Sequence, residues 1–109
     1  MEKQSGKWLE IGTAVEDAKL EGAHLLLPGH GNTGPTLEIY QYRKIQRQAT
    51  PTPNQQGFAH IAFEVNNLKE VIKLLEQNGG KLYGELSEKQ IVGVGKLTFV
   101  YATDPDGNI

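Results

Sequence analysis

The chain has 109 residues, of which 38% are hydrophobic, and its 11 basic and 13 acidic side chains leave a net charge of −2. This length predicts one domain, residues 1–109, with a single core. The balanced charge argues against a nucleic-acid partner, and the lack of cysteine excludes disulfides and thiolate metal sites. No apolar run approaches the length of a membrane span and no signal peptide precedes the first strand, so we expect a soluble cytoplasmic protein.

The first half of the chain predicts a hairpin after an irregular start. Residues 1–7 are polar and are expected to be loose, while residues 8–15 have the composition of a short strand or an irregular segment. Residues 18–27 and 36–42 are predicted strands, the second strongly so by composition. The segment between them, 28–35, is dense in Gly, Pro and Asn and predicts the connecting loop.

A polar segment with two prolines, residues 43–56, predicts a linker, and an alternating segment follows it. Gly57–Val65 has the period of a strand with two different faces. One face is apolar and is predicted to pack on the core; its members are Ala59, Ile61, Phe63 and Val65. His60 stands on the opposite face, with the small Ala62 beside it.

The clearest element is a helix after this strand. Asn67 is suited to cap it, and Glu70 three residues later resembles a capping box. Asn78, Gly79 and Gly80 are expected to end it, with a glycine in the left-handed position. Its apolar stripe consists of Leu68, Val71, Ile72 and Leu75.

The last 29 residues predict short strands and a turn. Residues 81–86 and 97–102 are strand candidates, and residues 87–95 are predicted to be a loop. Asp104–Asn108 is a tight turn in which Gly107 takes positive φ, and Ile109 begins another strand.

The two halves predict an internal repeat of the type β-α-β-β-β. Residues 57–109 form the second copy without its closing strand, and residues 8–48 form a partial first copy that lacks the opening strand and helix. Leu97–Asn108 aligns loosely with His24–Thr36, because each is a strand that runs into a turn rich in Gly, Pro or Asn.

These residues resemble a known family. Gly57–Val65, the helix end at Gly79–Gly80 and Phe99–Ile109 resemble the second module of the vicinal oxygen chelate superfamily, the glyoxalase / bleomycin resistance protein / dioxygenase fold. Leu37–Tyr40 resembles the last strand of its first module, and the resemblance covers about residues 18–109. It implies an α+β fold in which paired β-α-β-β-β modules form an open, curled mixed sheet, here with the first strand and helix of module one and the last strand of module two missing.

The resemblance also implies a metal site. In this family the ligands come from the first and last strands of each module, and the positions matched here are Glu38 and His60. A carboxylate ligand that leaves the metal can act as the base, so Glu38 is also the candidate catalytic residue. Tyr40 and Ala62 are the candidate substrate-site residues, and Tyr40 alternatively covers the sheet. The other two ligand positions fall on strands that this sequence lacks, so a longer native protein, or loss of those strands, is expected.

One imidazole and one carboxylate suit a divalent ion such as Ni, Co, Zn, Mn or Fe. Such an ion, with an open position, acts as a Lewis acid on a chelating substrate. A carboxylate at the Glu38 position resembles the glyoxalase I and epimerase pattern. Extradiol dioxygenases and fosfomycin-modifying enzymes resemble each other in using three ligands without this residue, and bleomycin-binding members need no metal.

Simpler interpretations exist for each of these side chains. Glu38 is alternatively a solvent-facing strand carboxylate, and His60 a partly exposed sheet histidine. His24 stands beside a leucine run and is assigned a structural role, and His30 is assigned to solvent in its glycine-rich loop.

The first hypothesis is therefore a metal-dependent lyase or isomerase acting on a small oxygenated carbonyl compound, a thiol adduct or a thioester. A metal-free ligand- or drug-binding module of the bleomycin-resistance type is the alternative, followed by an Fe(II) extradiol dioxygenase. Open sheet edges invite pairing with a second chain, so a homodimer is expected.

Overall fold

The structure, a computed structural model, describes residues 1–109. The chain forms two compact units, Met1–Arg47 and Gln48–Ile109. Every strand pair is antiparallel. In chain order the elements are β1 (Glu2–Ser5), α1 (Lys7–Thr13), β2 (Lys19–Leu26), β3 (Thr36–Tyr42), α2 (Leu68–Gln77), β4 (Lys81–Leu82), β5 (Ser87–Ile91), β6 (Gly95–Phe99) and β7 (Ala102–Thr103).

The first unit is a three-stranded sheet in the order β1-β2-β3, together with helix α1. Leu9 of α1 and Leu20 of β2 are buried with Ala18, and they form the core of the unit. Tyr40 and Tyr42 pack against this core from β3. These contacts place the even-numbered side chains of β3 on the face of the sheet that carries the core.

The predicted hairpin of the first unit is confirmed. Strands β2 and β3 pair from Leu20 opposite Tyr42 to Leu26 opposite Thr36. A hydrogen bond from the Leu27 amide to the Pro35 carbonyl, at 3.3 Å, closes the connecting loop. This register places His24 directly opposite Glu38.

The prediction for residues 1–15 is wrong. Residues 2–5 form β1, which pairs with β2, and residues 7–13 form α1, so a short strand and a short helix stand before β2. The polar sequence of β1 carries no apolar alternation. The strand pairs with β2 through backbone hydrogen bonds, and Lys3 Nζ lies 3.8 Å from a carboxylate oxygen of Glu21. Leu9 is the single buried side chain of α1, too few for a helical period to be visible in the sequence.

Helix α2 of the second unit begins and ends where predicted. The Asn67 side chain accepts a hydrogen bond from the Glu70 amide at 3.2 Å, and Gly79 has φ +90°. The Gly80 amide donates to the Leu75 carbonyl at 2.9 Å, which completes the helix C-terminus. Leu68, Ile72 and Leu75 of the predicted stripe are half-buried, and Val71 is exposed.

The strands after α2 are shorter and more numerous than predicted. Strand β4 pairs with β7, and the predicted loop 87–95 is wrong because β5 pairs with β6 across it. A three-residue turn joins them, in which Gly93 has φ +79° and the Val94 amide donates to the Ile91 carbonyl at 3.1 Å. The single predicted strand over 97–102 is divided between β6 and β7.

The prediction of a strand over Gly57–Val65 is also wrong. Only the Ile61 amide is engaged in a backbone hydrogen bond, to the Ile109 carbonyl at 3.4 Å. Phe63 is 57% exposed, and the apolar face that was expected to pack on a core lies largely open. Alternation of apolar and polar residues indicates which face a strand would bury. The strand itself forms only where a neighbouring strand supplies hydrogen-bond partners for its backbone.

The α+β fold class is confirmed, and the architecture is that of a partial glyoxalase-like module. The strands form separate open sheets of three, two and two strands, rather than one curled mixed sheet. Neither helix has the length and apolar character that a membrane span requires.

Candidate functional site

Glu38 lies in the middle of β3, on the face that carries the core, and its side chain is 58% exposed. One carboxylate oxygen, Oε1, stands 3.5 Å from Nδ1 of His24 on the neighbouring strand. The second oxygen, Oε2, accepts no hydrogen bond from the rest of the chain. Glu38 is therefore an accessible carboxylate with one oxygen directed at an imidazole and one available to a ligand.

His24 occupies the position on β2 opposite Glu38, and its side chain is 39% exposed. Its second ring nitrogen, Nε2, is hydrogen-bonded to the hydroxyl of Tyr40. The rings of His24 and Tyr40 meet edge to face with their centroids 5.6 Å apart. Both nitrogens of this histidine thus face a polar side chain of β3.

Tyr40 is half-buried because its ring lies over Gly22, the residue opposite it on β2. A Cβ atom at position 22 would collide with the Tyr40 ring and with the Ile39 carbonyl, so only glycine leaves room there. Partial burial of the hydroxyl raises the pKa of Tyr40, and the negative charges of Glu38 and Glu2 raise it further. The hydroxyl therefore keeps its proton well into the alkaline range.

His60 lies in the second unit, where its Nε2 is 3.5 Å from the hydroxyl of Tyr101. The centroids of the His60 and Tyr101 rings are 4.8 Å apart, and those of the Tyr101 and Phe99 rings are 6.3 Å apart. Ala62 is exposed two residues beyond His60. This aromatic cluster, His60–Tyr101–Phe99, presents an accessible imidazole in an apolar setting.

The donors present are of the right type for a borderline divalent ion, since imidazole nitrogen and carboxylate oxygen both suit one. Their number is smaller than a complete site needs, because no group of three or more His, Asp or Glu side chains that could hold a metal ion is gathered in the chain. Glu38 belongs to the first unit and His60 to the second.

The structure thus brings Glu38 and Tyr40 together on one face of β3, and it leaves His60 and Ala62 in one segment outside the helices and strands. Sequence reasoning missed the two partners that these side chains find, His24 and Tyr101. The register of the hairpin identifies His24 as the neighbour of Glu38. No sequence signal indicates Tyr101, because it lies 41 residues from His60 along the chain.

Comparison with protein families identifies the chain. The model of the Glyoxalase/Bleomycin resistance protein/Dioxygenase superfamily matches residues 5–109. The chain therefore belongs to this superfamily, as the motifs around His60 and Asp104–Asn108 indicate. A search of curated proteins and a search of solved structures found no match.

Proposed function

We propose that this chain is a metal-dependent lyase or isomerase of the glyoxalase type, which acts on a small oxygenated carbonyl compound, a thiol adduct or a thioester. The observation that carries the proposal is the accessible Glu38 carboxylate, whose Oε2 is left without a partner on a strand of a chain that belongs to the glyoxalase superfamily. A carboxylate so placed can bind a cation or take up a proton.

In this proposal Glu38 and His60 each serve as a ligand of a divalent ion. When bound, the ion supplies Lewis acidity toward substrate oxygens. The ion is Ni, Co, Zn, Mn or Fe by the chemistry of its ligands, and softer ions are disfavoured because the chain has no cysteine.

The chain's own side chains supply the remaining functions. Glu38 is the base in this proposal: its carboxylate accepts the proton that leaves the carbon beside the substrate carbonyl. The Tyr40 hydroxyl, two residues along the same face of β3, is hydrogen-bonded to Nε2 of His24. The small Ala62 leaves room for substrate beside His60.

The test is metal content measured by mass spectrometry on the protein before and after exchange into metal-free buffer. We expect about one divalent ion per chain, lost in Glu38→Gln and in His60→Gln. Glu16→Gln and His30→Gln alter an exposed carboxylate and an exposed imidazole outside the site, so they should retain the ion. Full metal content in the Glu38 and His60 variants would refute the proposal.

A metal-free ligand-binding function is the second candidate. It is favoured by the accessible aromatic cluster of His60, Tyr101 and Phe99. Such a surface suits a planar apolar or drug-like ligand. Tight binding that survives a chelator, and that is lost in Tyr101→Ala, would support this candidate over the first.

We further propose that the chain forms a homodimer. Phe58, Ile61 and Phe63 are exposed along one segment that makes almost no backbone hydrogen bonds, a surface that a soluble monomer rarely presents. Sedimentation velocity on the protein should show a dimer, and Phe63→Asp should weaken it. Val92→Asp, in an exposed hairpin turn, is the matched control; a monomer in the unaltered protein would refute this proposal.

A further inference from the structure

Three side chains of the first unit form a continuous polar row, Glu38–His24–Tyr40. Two of them stand on β3 two residues apart, and His24 reaches both from β2. Nδ1 of its ring faces Glu38 Oε1 at 3.5 Å, and Nε2 meets the Tyr40 hydroxyl. The imidazole therefore bridges a carboxylate and a phenol, each through a different nitrogen.

This arrangement selects one tautomer of the neutral imidazole. A neutral histidine carries its proton on only one ring nitrogen, and the other nitrogen is an acceptor. If Nε2 carried the proton, the lone pair of Nδ1 would face the negative Oε1 of Glu38, which is repulsive. If Nδ1 carries the proton, it points toward the carboxylate, and the Tyr40 hydroxyl donates to Nε2. Both contacts are favourable only in the second case.

We propose that His24 is a positioning residue. Tyr40 holds it in the Nδ1–H tautomer, and in that form His24 orients the Glu38 carboxylate so that Oε2 stays available to a bound ion. The inference rests on the function proposed above for Glu38. Partners of this kind, one step removed from a metal, fix the orientation of the side chain that binds it.

Gly22 and the protonated state of Tyr40 make the arrangement possible. The Tyr40 ring reaches His24 because position 22 carries no side chain beneath it. The hydroxyl can donate to Nε2 because it remains protonated at neutral pH. Neither residue needs to touch the substrate to affect Glu38.

The first test reads the tautomer directly and needs no metal. Nitrogen-15 NMR of the histidine side chains, recorded where imidazole is neutral, should show Nδ1 of His24 protonated and Nε2 unprotonated. Tyr40→Phe removes the donor to Nε2, and the Nε2–H tautomer should then appear. A predominant Nε2–H tautomer in the unaltered protein would overturn the inference.

The second test measures the affinity for Co²⁺ or Ni²⁺ by calorimetry, with the fold of each variant checked by circular dichroism. His24→Ala should weaken binding by about 10–100-fold, as is usual for such partners of a ligand. His24→Asn places an amide N–H where Nδ1 stood and should restore much of the affinity, whereas His24→Gln, whose amide lies nearer the Nε2 position, should not. Tyr40→Phe should give a smaller loss.

The outcomes separate this inference from the proposed function. If Glu38→Gln abolishes binding and His24→Ala leaves it unchanged, Glu38 is a ligand and the positioning role of His24 is wrong. If Glu38→Gln leaves binding unchanged, the proposed function itself fails. If His24→Ala weakens metal binding, and His24→Asn restores it whereas His24→Gln does not, the result would support positioning of Glu38 through Nδ1.

Discussion

The ring of Tyr40 lies directly over Gly22, its partner on the neighbouring strand, at a distance that no other residue at position 22 would allow. The close approach lets the Tyr40 hydroxyl reach His24, which stands two residues further along β2. The absence of a side chain at one position thus determines the geometry of the candidate site.

Gly22→Ala should destabilise the first unit by about 1–3 kcal/mol, the usual cost of forcing extra atoms into a packed position. The added Cβ would have to displace both the Tyr40 ring and the β3 backbone. Urea denaturation followed by circular dichroism gives the free energy of unfolding. Gly12→Ala is the control: no atom lies within 4 Å of its added Cβ, and the change should be neutral or stabilising by about 0.5–1 kcal/mol within α1. Equal effects of the two changes would contradict this account.

Tyr40 should ionise at a higher pH than an ordinary tyrosine. Its partial burial and the neighbouring charges of Glu38 and Glu2 raise its pKa above the ordinary value of 10.0. Because the pKa of Tyr40 is higher in the folded chain than in the unfolded chain, Tyr40 contributes stability below the ordinary pKa of tyrosine. That contribution is lost as the pH rises through the folded pKa. An alkaline titration followed by tyrosinate absorbance should show a late step.

Tyr40→Phe should remove that late step, and Tyr83→Phe should leave it in place. Glu38→Gln should bring the step to lower pH, because it removes a negative charge that opposes ionisation. A late step that survives Tyr40→Phe would show that a different tyrosine is responsible.

Asn67→Ala should destabilise the second unit by about 1 kcal/mol. The Asn67 side chain accepts the Glu70 amide at the start of α2, and alanine leaves that amide without its partner. Asn67→Asp keeps an acceptor oxygen and adds a negative charge that the helix N-terminus favours, so it should retain stability. Asn54→Ala, in the exposed part of the linker, should have little effect on chemical denaturation. An unchanged unfolding midpoint in Asn67→Ala would refute the role of this cap.

Asp104 should make the turn before Ile109 sensitive to acid. Its burial opposes ionisation, but hydrogen bonds from the Asn108 side chain and from backbone amides outweigh that effect and lower the pKa of Asp104 below the ordinary 3.8. Oδ1 accepts from the amides of Asp106 and Asn108, each at 2.9 Å, and Oδ2 accepts from Asn108 Nδ2 at 2.8 Å. The carboxylate is therefore more stabilised in the folded chain than in the unfolded one.

Since the folded pKa is depressed, this contribution is present above pH 3.8 and is lost as the pH falls below it toward the folded value. Asp104→Asn should be less stable than the unaltered protein at neutral pH, and the difference should shrink in acid. The free energy of unfolding against pH tests this. Asp106→Asn, whose side chain accepts no hydrogen bond in the turn, should keep the acid response of the unaltered protein; a constant difference for Asp104→Asn across the range would contradict the prediction.

The elements that sequence predicts well here are those whose signals are local. Asn67 and Gly79 lie at the two ends of α2 and act on backbone groups within one turn. The Asp104–Asn108 turn is likewise formed by groups a few residues apart. Such features depend on residues near in sequence, so their positions could be predicted without knowledge of the fold.

The predictions that failed depend on distant partners. Gly57–Val65 has the alternation of a strand, yet it makes a single backbone hydrogen bond, to Ile109. Residues 2–5 have no such alternation, yet they form β1 because β2 offers a free edge. Whether a segment pairs as a strand depends on the neighbouring strand, and the alternation of apolar residues in the sequence does not indicate that neighbour.

The sequence by itself determined the α+β class, the hairpin of β2 and β3, helix α2 and the superfamily. These follow from periodicity, turn chemistry and a motif that can be recognised residue by residue. It also selected Glu38 and His60 as candidate ligands.

Only the tertiary structure decided the neighbours of those side chains. The nine residues between β2 and β3 are compatible with more than one register, and a shift of one residue would turn His24 away from Glu38. The observed register places His24 opposite Glu38 and Gly22 opposite Tyr40. The pairing of His60 with Tyr101 likewise joins segments 41 residues apart, because contact in space is set by packing rather than by order along the chain.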